Sequence, residues 1–207
     1  MSKITLYRHP LSGHAHRAEL FLSLLGIDAQ LIDVDLMTGA HKQEAFLAKN
    51  RFGQVPVLED DGDIIADSSA ILVYLAMKYD NARSWYPSDP VAAAEVQRFL
   101  SVAAGQVASG PASARLVNVF GAGLDHERAK EIAHAVLDVL NKHLENRDWL
   151  AGERPTIADV ANYAYIAHAP EGDVSLEAYP NVLAWLSRIA ALPGFVPMQR
   201  TEVGLAA

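Results

Sequence analysis

The sequence of 207 residues contains no cysteine. A chain without thiols forms no disulfide, binds no zinc or iron–sulfur centre through thiolates, and has no cysteine nucleophile. Basic residues are outnumbered, since 17 Lys and Arg against 25 Asp and Glu give a formal net charge of −8. Because nucleic acids and anionic membranes attract basic patches, this acidity disfavours both as main partners.

Long apolar runs are also missing. No segment approaches the roughly 20 consecutive apolar residues of a membrane-spanning helix, and residues 1–10 lack the charged and apolar regions of a secretory signal. Hydrophobic residues nevertheless make up 51% of the chain, which is enough for a packed core. We therefore expect a cytoplasmic protein with one large domain or two small ones.

The first 80 residues mix strand-like and helical patterns. Four short apolar runs predict strands, at residues 4–6, 29–33, 55–58 and 64–66. Three periodic stretches predict helices, at residues 14–25, 43–49 and 68–79. Ser12 is a good N-cap for the first helix, and Gly26 ends it. The order β-α-β-α-β-β-α predicts an α/β thioredoxin-like domain.

From Val91 onward the strand patterns disappear. Helices are predicted at residues 90–109, 112–120, 127–145, 157–167 and 180–191. Gly110-Pro111 separates the first two, because an interior proline costs a helix about 3 kcal/mol. The chain thus divides into a thioredoxin-like domain at residues 1–80, a linker at residues 81–90, and an all-α C-terminal helical domain at residues 91–207.

Thr156 and Asp159 have the spacing of a capping box at the start of the helix predicted from residue 157. This pattern favours a structural role for Asp159 over a catalytic one. Loss of a cap costs about 1 kcal/mol, so we expect Asp159→Ala to destabilise the protein more than it inactivates it.

Two segments have both a plain and a chemical interpretation. Ser12 stands at a helix N-terminus, where outward N–H groups favour an anion, although an N-cap is the simpler interpretation. Pro56 enters a strand through Val55, which is compatible with an ordinary turn. A cis proline there would instead free the Val55 backbone to pair with an extended peptide.

Two further pairs are open in the same way. Asp67 and Ser68 begin a helix, and together they suit the ammonium and carboxylate of a zwitterionic amino acid end, or they form a plain cap. His41 and Lys42 are cationic candidates in a loop, or a solvated surface pair. Singly, neither pair identifies a ligand.

Taken together and in order, these segments resemble the glutathione S-transferase family, and most closely its serine-type, phi-like classes. The resemblance runs through residues 7–12 with Arg17 following, residues 39–42, residues 50–56 and Asp67-Ser68, and it continues through the helical half. It implies a homodimeric enzyme of detoxification that uses glutathione as cosubstrate and needs no metal. Its partners would be glutathione and a small electrophile.

The resemblance also implies roles for the matching residues. Ser12 would donate a hydrogen bond to the glutathione thiolate and so activate it for attack on the electrophile. The implied binding residues are His41 and Lys42 for the glycine carboxylate, Gln54 and Val55 for the cysteinyl unit, and Asp67 and Ser68 for the γ-glutamyl end. Asp67 is shorter than the Glu that many relatives carry there, and the resemblance assigns no role to His14 beside the Ser12 loop.

The energy that such activation requires is modest. Lowering a thiol pKa from about 8.5 by about 2 units needs about 2.7 kcal/mol. One hydrogen bond to a charged group supplies about 1.5–3 kcal/mol and a helix terminus about 0.3–1 kcal/mol. Ser12 as a donor can therefore meet the requirement without a general base.

Other chemistry is disfavoured. His9, His14 and His16 do not suggest a metal site, because His14 and His16 are two apart on a predicted helix and point to nearly opposite faces. Tyr7 could suggest tyrosine-type thiol activation, but the resemblance places Ser12 in that position and makes Tyr7 strand core.

Some questions stay open at this stage. The same thiolate could serve a glutathione-dependent reductase, peroxidase or isomerase, and the fold could belong to a non-catalytic binding protein. Phe52 could insert into a partner subunit or be buried locally. Leu11 and residues 115–120 are candidates for lining an electrophile pocket, although no motif identifies the electrophile.

Overall fold

A computed structural model describes residues 4–207, which form two compact units. Of the described residues, the N-terminal unit comprises those up to Arg83 together with Pro193–Gln199. The helical unit comprises Ser84–Leu192 together with Arg200–Ala207. Among residues 4–207, no helix combines the length and apolar character that a membrane span requires.

The N-terminal unit contains a mixed four-stranded sheet. Its strands are β1 (Ile4–Arg8), β2 (Ala29–Asp33), β3 (Val57–Asp60) and β4 (Asp63–Ala66). Their order is β2-β1-β3-β4, with β1 and β2 parallel and the other pairs antiparallel. The helices are α1 (Gly13–Leu24), α2 (Glu44–Leu47) and α3 (Ser68–Tyr79). This arrangement confirms the predicted thioredoxin-like fold.

Helices α1 and α3 contact each other and the sheet through a fully buried apolar core. The core includes Leu6 on β1, Phe21 on α1 and Leu72 on α3. Burying a side chain of this size contributes about 1.5–3 kcal/mol. This packing fixes the N-termini of α1 and α3, where Ser12 and Ser68 lie.

The third strand begins two residues later than predicted. Pairing with β1 and β4 starts at Val57 rather than at Val55. Pro56 has no backbone N–H to contribute to a ladder, so the strand begins only after it. The segment before Pro56 therefore lies outside the sheet.

The helical unit contains five α-helices among the residues that the structure describes. They are α4 (Pro90–Ala104), α5 (Ser113–Phe120), α6 (His126–His143), α7 (Ile157–Ala167) and α8 (Pro180–Ala190). The predicted all-α character is confirmed. Arg115 on α5 is fully buried and donates from Nε to Glu171 Oε2 at 2.7 Å, so its charge lies in the interior of this unit.

The predicted break at Gly110-Pro111 is a π-helical turn spanning Ala108–Ala112. Because Pro111 has no N–H, the chain widens here, and the N–H of Ser113 donates to the carbonyl of Ala108. Gly110 is required by packing, since a Cβ there would lie 2.7 Å from the backbone nitrogen of Ala133 on α6. The helix predicted through residue 109 already ends at Ala104, because Gly105 leaves the helical conformation with φ −96° and ψ −96°.

The capping box of α7 is confirmed, and it is more extensive than its sequence indicates. Asp159 Oδ2 accepts from the Thr156 N–H at 2.9 Å and from its hydroxyl. Asp159 Oδ1 accepts from the Leu150 N–H and from Trp185 Nε1, each at 2.9 Å. Burial raises the pKa of Asp159, and these hydrogen bonds act in the opposite direction. The carboxyl, only 1% exposed, therefore joins three parts of the helical unit.

Candidate active site

Ser12 is the N-cap of α1 and lies half-buried at the end of the loop that follows β1. Its Oγ accepts a hydrogen bond from the Ala15 N–H at 3.2 Å, and its own N–H donates to the His9 carbonyl at 2.9 Å. A serine hydroxyl has two lone pairs and one proton. The cap uses a lone pair, so the proton is still available to donate to a ligand.

His41 and Lys42 lie in a single 3₁₀ turn spanning Ala40–Lys42. Lys42 Nζ donates to the carbonyls of Phe52 and Gly53 at 3.1 and 2.9 Å, and so ties this turn to the loop before Pro56. An ammonium has three protons, so one remains for a ligand. The Nδ1 atom of half-buried His41 has no hydrogen-bond partner within residues 4–207.

The Val55–Pro56 peptide bond is cis, which the interpretation of this segment as a peptide-pairing site required. Within residues 4–207, the backbone of Val55 forms no hydrogen bond to another backbone group outside the helices and strands. Gln54 is exposed, and its carbonyl accepts from Asn50 Nδ2 at 2.8 Å. This segment lies outside the sheet, next to the loop that Lys42 holds, and the backbone of Val55 there suits pairing with a short peptide.

Replacing Gly53 by alanine is expected to destabilise the protein by about 1–3 kcal/mol and to weaken ligand binding at this loop. Gly53 has φ +58°, and a Cβ there would lie 2.7 Å from the His41 carbonyl oxygen. Urea unfolding and glutathione calorimetry measure the two effects. Gly62→Ala is the matched control, because Gly62 has φ +93° but open space around it. Equal losses in the two variants would contradict the close-packing argument.

Asp67 and Ser68 begin α3. Asp67 Oδ1 accepts from the Ala70 N–H at 2.9 Å, so the plain cap exists, and the second carboxylate oxygen remains for a ligand. Asp67 has φ +78°, an uncommon conformation for a residue with a side chain. Such outliers concentrate at functional sites because the surrounding structure must hold them.

Two residues without a predicted role lie against Ser68. Arg17 Nη1 lies 3.2 Å from Ser68 Oγ and 2.9 Å from His14 Nδ1. Burial, and then the charge of Arg17, lowers the pKa of His14 to about 3. The contact links the N-termini of α1 and α3, and with them Ser12 and Ser68, which lie far apart in sequence.

Tyr7 lies on β1 and packs, half-buried, against the core cluster of Val34, Phe46 and Val57, as expected for a strand residue that faces the core. Its hydroxyl donates to Glu59 Oε2 at 2.6 Å. Phe52 is 81% exposed, so the interpretation of local burial is wrong for this chain. Across residues 4–207, no group of three or more His, Asp or Glu side chains is arranged to hold a metal ion.

Comparison with known families gives two matches. The model of the glutathione S-transferase N-terminal domain matches residues 2–77. The model of the glutathione S-transferase C-terminal domain matches residues 121–193. Together the two matches cover more than half of the chain.

Individual relatives agree. Glutathione S-transferase 3 from Zea mays is 36% identical, covering 94% of this chain and 92% of that protein. Human glutathione S-transferase theta-2 is 32% identical, covering 92% of this chain and 82% of that protein.

Solved structures are similar over nearly the whole chain. A glutathione S-transferase from Pseudomonas fluorescens has a TM-score of 0.86 and 34% identity, covering 95% of this chain and 99% of that chain. A glutathione transferase homologue from Drosophila mojavensis with bound glutathione has a TM-score of 0.85 and 30% identity, covering 93% of this chain and 90% of that chain. The resemblance to the family is confirmed, and the chain belongs to the glutathione S-transferase family of enzymes.

Proposed function

We propose that this enzyme binds glutathione on its N-terminal unit and activates the thiol through a hydrogen bond from Ser12. The resulting thiolate adds to a small electrophile. The observation that carries this proposal is the arrangement of Ser12, which caps α1 with a lone pair and keeps its proton for a ligand at a helix N-terminus. The hydroxyl and the helix terminus together supply about 2–4 kcal/mol, which covers a pKa decrease of about 2 units.

The remaining contacts follow the chemistry of the tripeptide. His41 and the third proton of Lys42 bind the glycine carboxylate. The backbone of Val55, assisted by Gln54, pairs with the cysteinyl unit. The γ-glutamyl end is bound by the carboxylate of Asp67 and by the hydroxyl and N–H of Ser68 at the start of α3.

We further propose that the chain is organised in two domains joined by a linker. Residues 1–80 form the glutathione-binding domain, residues 81–90 the linker, and residues 91–207 the helical domain that contributes the electrophile pocket. We assign the enzyme to the serine-type, phi-like classes because Ser12 follows β1 and Pro10 in the segment that carries the resemblance. A cytoplasmic location and a role in detoxification complete the proposal.

The test combines binding with product identification. Calorimetry measures glutathione binding, and mass spectrometry then detects thioether conjugates with an aryl halide and with an α,β-unsaturated carbonyl compound. Conjugate formation above the uncatalysed rate is the expected result. Oxidised glutathione formed with a peroxide, without any conjugate, would instead indicate a reductase or peroxidase. Binding without turnover on any of these compounds would indicate a non-catalytic protein.

We also propose a homodimer in which Phe52 of one protomer contacts the helical unit of its partner. An open groove of about 410 Å³ runs between α4 and α6 of this unit. Apolar side chains such as Val102, Ile132 and Val136 line it, together with the charged Arg98 and Arg128. An exposed aromatic ring and an apolar groove are complementary features of a two-fold interface.

Phe52→Ala is expected to shift the protein from dimer to monomer, because an aromatic anchor in a pocket typically contributes about 2 kcal/mol or more to an interface. Sedimentation velocity over a range of protein concentrations measures the change. Met37→Ala is the control, since Met37 is also strongly exposed in the N-terminal unit but is not part of the proposed contact. An unchanged dimer for Phe52→Ala would contradict the proposed contact.

A further inference from the structure

Residues 193–199 follow α8 in the chain but belong to the N-terminal unit, where they contact α1. His16 Nε2 lies 2.8 Å from the carbonyl oxygen of Val196, and Ser23 Oγ donates to the carbonyl of Gly194 at 2.7 Å. We call residues 193–199 the C-terminal strap. Segments near a chain terminus are poorly ordered unless something holds them, so these two bonds indicate that α1 holds the strap.

The strap follows one face of α1. His16 and Ser23 lie on the same face, because seven residues correspond to about two helical turns. The strap contacts Ser23 through Gly194 and then His16 through Val196, so it runs towards the N-terminus of the helix. Gly194 has φ +84°, and a Cβ there would lie 2.7 Å from the carbonyl oxygen of Ser23. The strap is therefore closely packed on α1 at Ser23 and hydrogen-bonded to it at His16.

His16 is a buried donor to the strap. Its side chain is on a residue only 3% exposed, and a carbonyl oxygen can only accept, so His16 Nε2 carries the proton of the bond to Val196. Leaving a buried donor without its acceptor is strongly unfavourable. The bond therefore holds Val196 and α1 together at a position one helical turn after Ser12.

The same residue contacts Ser12 through its backbone. The N–H of His16 donates to the Ser12 carbonyl at 2.9 Å, which closes the first turn of α1. Within that turn, Ser12 Oγ accepts from the Ala15 N–H. The turn that carries the proposed catalytic hydroxyl thus ends at His16, and the strap holds His16 in place.

Stabilisation of an anion at a helix N-terminus depends on the order of the first turn. The N–H groups that attract the anion belong to this turn, and their effect falls off beyond it. Helix ends fray where nothing holds them. A buried contact at the end of the first turn therefore keeps these N–H groups and the Ser12 hydroxyl directed at the ligand.

We propose that His16 is a positioning residue for Ser12, and that the C-terminal strap supports the active site through it. By binding Val196, His16 keeps the first turn of α1 in the conformation that stabilises the thiolate of bound glutathione. This inference rests on the proposed function, and it gives a role to a histidine and to a segment near the C-terminus that no sequence motif explained.

The test measures the thiol of bound glutathione in variants of His16. Thiolate absorbance against pH should give a midpoint about 0.5–1 pH unit higher in His16→Leu than in the wild type. His16→Gln keeps an amide N–H near the position of Nε2 and should restore most of the wild-type midpoint. A merely structural role would lower the free energy of unfolding of His16→Leu but leave the midpoint of the folded protein unchanged. That result would overturn the inference.

A second variant reaches the same contact from the strap. Gly194→Ala places a Cβ against the Ser23 carbonyl and should detach the strap from α1. Its midpoint should rise by a similar amount, which keeps the test decisive if His16→Leu does not fold. Combining the two substitutions should raise the midpoint no further, because both break the same contact. A double variant that shows the sum of two separate shifts would overturn the inference.

Two matched controls lie in the helical unit. Gly152→Ala introduces a side chain at φ +78° where nothing lies within 4 Å. His134→Leu removes a hydrogen bond between His134 and Tyr179. Both variants should keep the wild-type midpoint, and an equal rise in either would overturn a specific role for the strap. A wild-type midpoint equal to that of free glutathione would overturn the proposed function itself, a result distinct from an unshifted His16→Leu variant.

Discussion

Ser12→Ala is expected to lower turnover about 10- to 100-fold while leaving the affinity for glutathione nearly unchanged. The hydroxyl donates to the sulfur only after deprotonation has placed a charge there, whereas the rest of the tripeptide is bound by other residues. Removing the donor therefore raises the pKa of the bound thiol without removing the main binding contacts. Steady-state kinetics with saturating glutathione at pH 6.5, set against calorimetric affinity, separates the two quantities.

The structural role of Ser12 requires its own control. Ser12 caps α1 through Ala15, so alanine also costs about 1 kcal/mol of stability, whereas glycine at an N-cap costs only a few tenths. Ser12→Gly should therefore lose turnover as fully as Ser12→Ala while remaining more stable. Ser12→Thr retains the hydroxyl and should keep much of the rate. If turnover followed stability across the three variants, Ser12 would be a helix cap and no more.

Asp159→Ala is expected to have the largest effect on stability, lowering the free energy of unfolding by about 3–5 kcal/mol. Three separate residues donate to this carboxyl from buried positions, and each donor left without an acceptor costs about 1–3 kcal/mol, although the costs do not fully add. This exceeds the roughly 1 kcal/mol expected from a capping box alone. Urea unfolding measures the difference.

Asp125 provides the matched comparison. It caps α6 by accepting from the Arg128 N–H at 3.0 Å, but it is exposed to solvent. Asp125→Ala should therefore cost about 1 kcal/mol. The folded fraction of Asp159→Ala, assayed at low temperature, should retain its specific activity. Similar losses of stability in the two variants would show that the buried network contributes little.

Sequence patterns predicted correctly those helices and strands whose first and last residues are set by neighbouring residues in the sequence. Residues 68–79 form α3 as predicted, because a capping Asp67 precedes a continuous apolar periodicity. Helix α4 ends at Ala104 instead of residue 109, because Gly105 leaves the helical conformation with φ −96° and ψ −96°. A single glycine inside an alanine-rich stretch did not mark this end in the sequence.

In the candidate site, too, only the features that depend on nearby residues could be predicted from the sequence. The N-caps Ser12 and Asp67 could be identified from residue type and position alone. The contacts of Arg17 with Ser68 and of Lys42 with the loop at Gly53 could not, because they depend on how separate elements pack. The sequence offered two signals for Arg17: its place after the segment that carries the family resemblance, and its charge at a position of α1 that faces the core.

The central claim is that Ser12 stabilises the thiolate of bound glutathione. Ultraviolet absorbance of the thiolate against pH, for the wild type and Ser12→Ala with glutathione bound, tests it most directly. The free thiol has its midpoint at about pH 8.5. We predict a wild-type midpoint about 2 pH units lower, and in Ser12→Ala a return towards the midpoint of the free thiol. A wild-type midpoint equal to that of free glutathione, or one that Ser12→Ala leaves in place, would contradict the account.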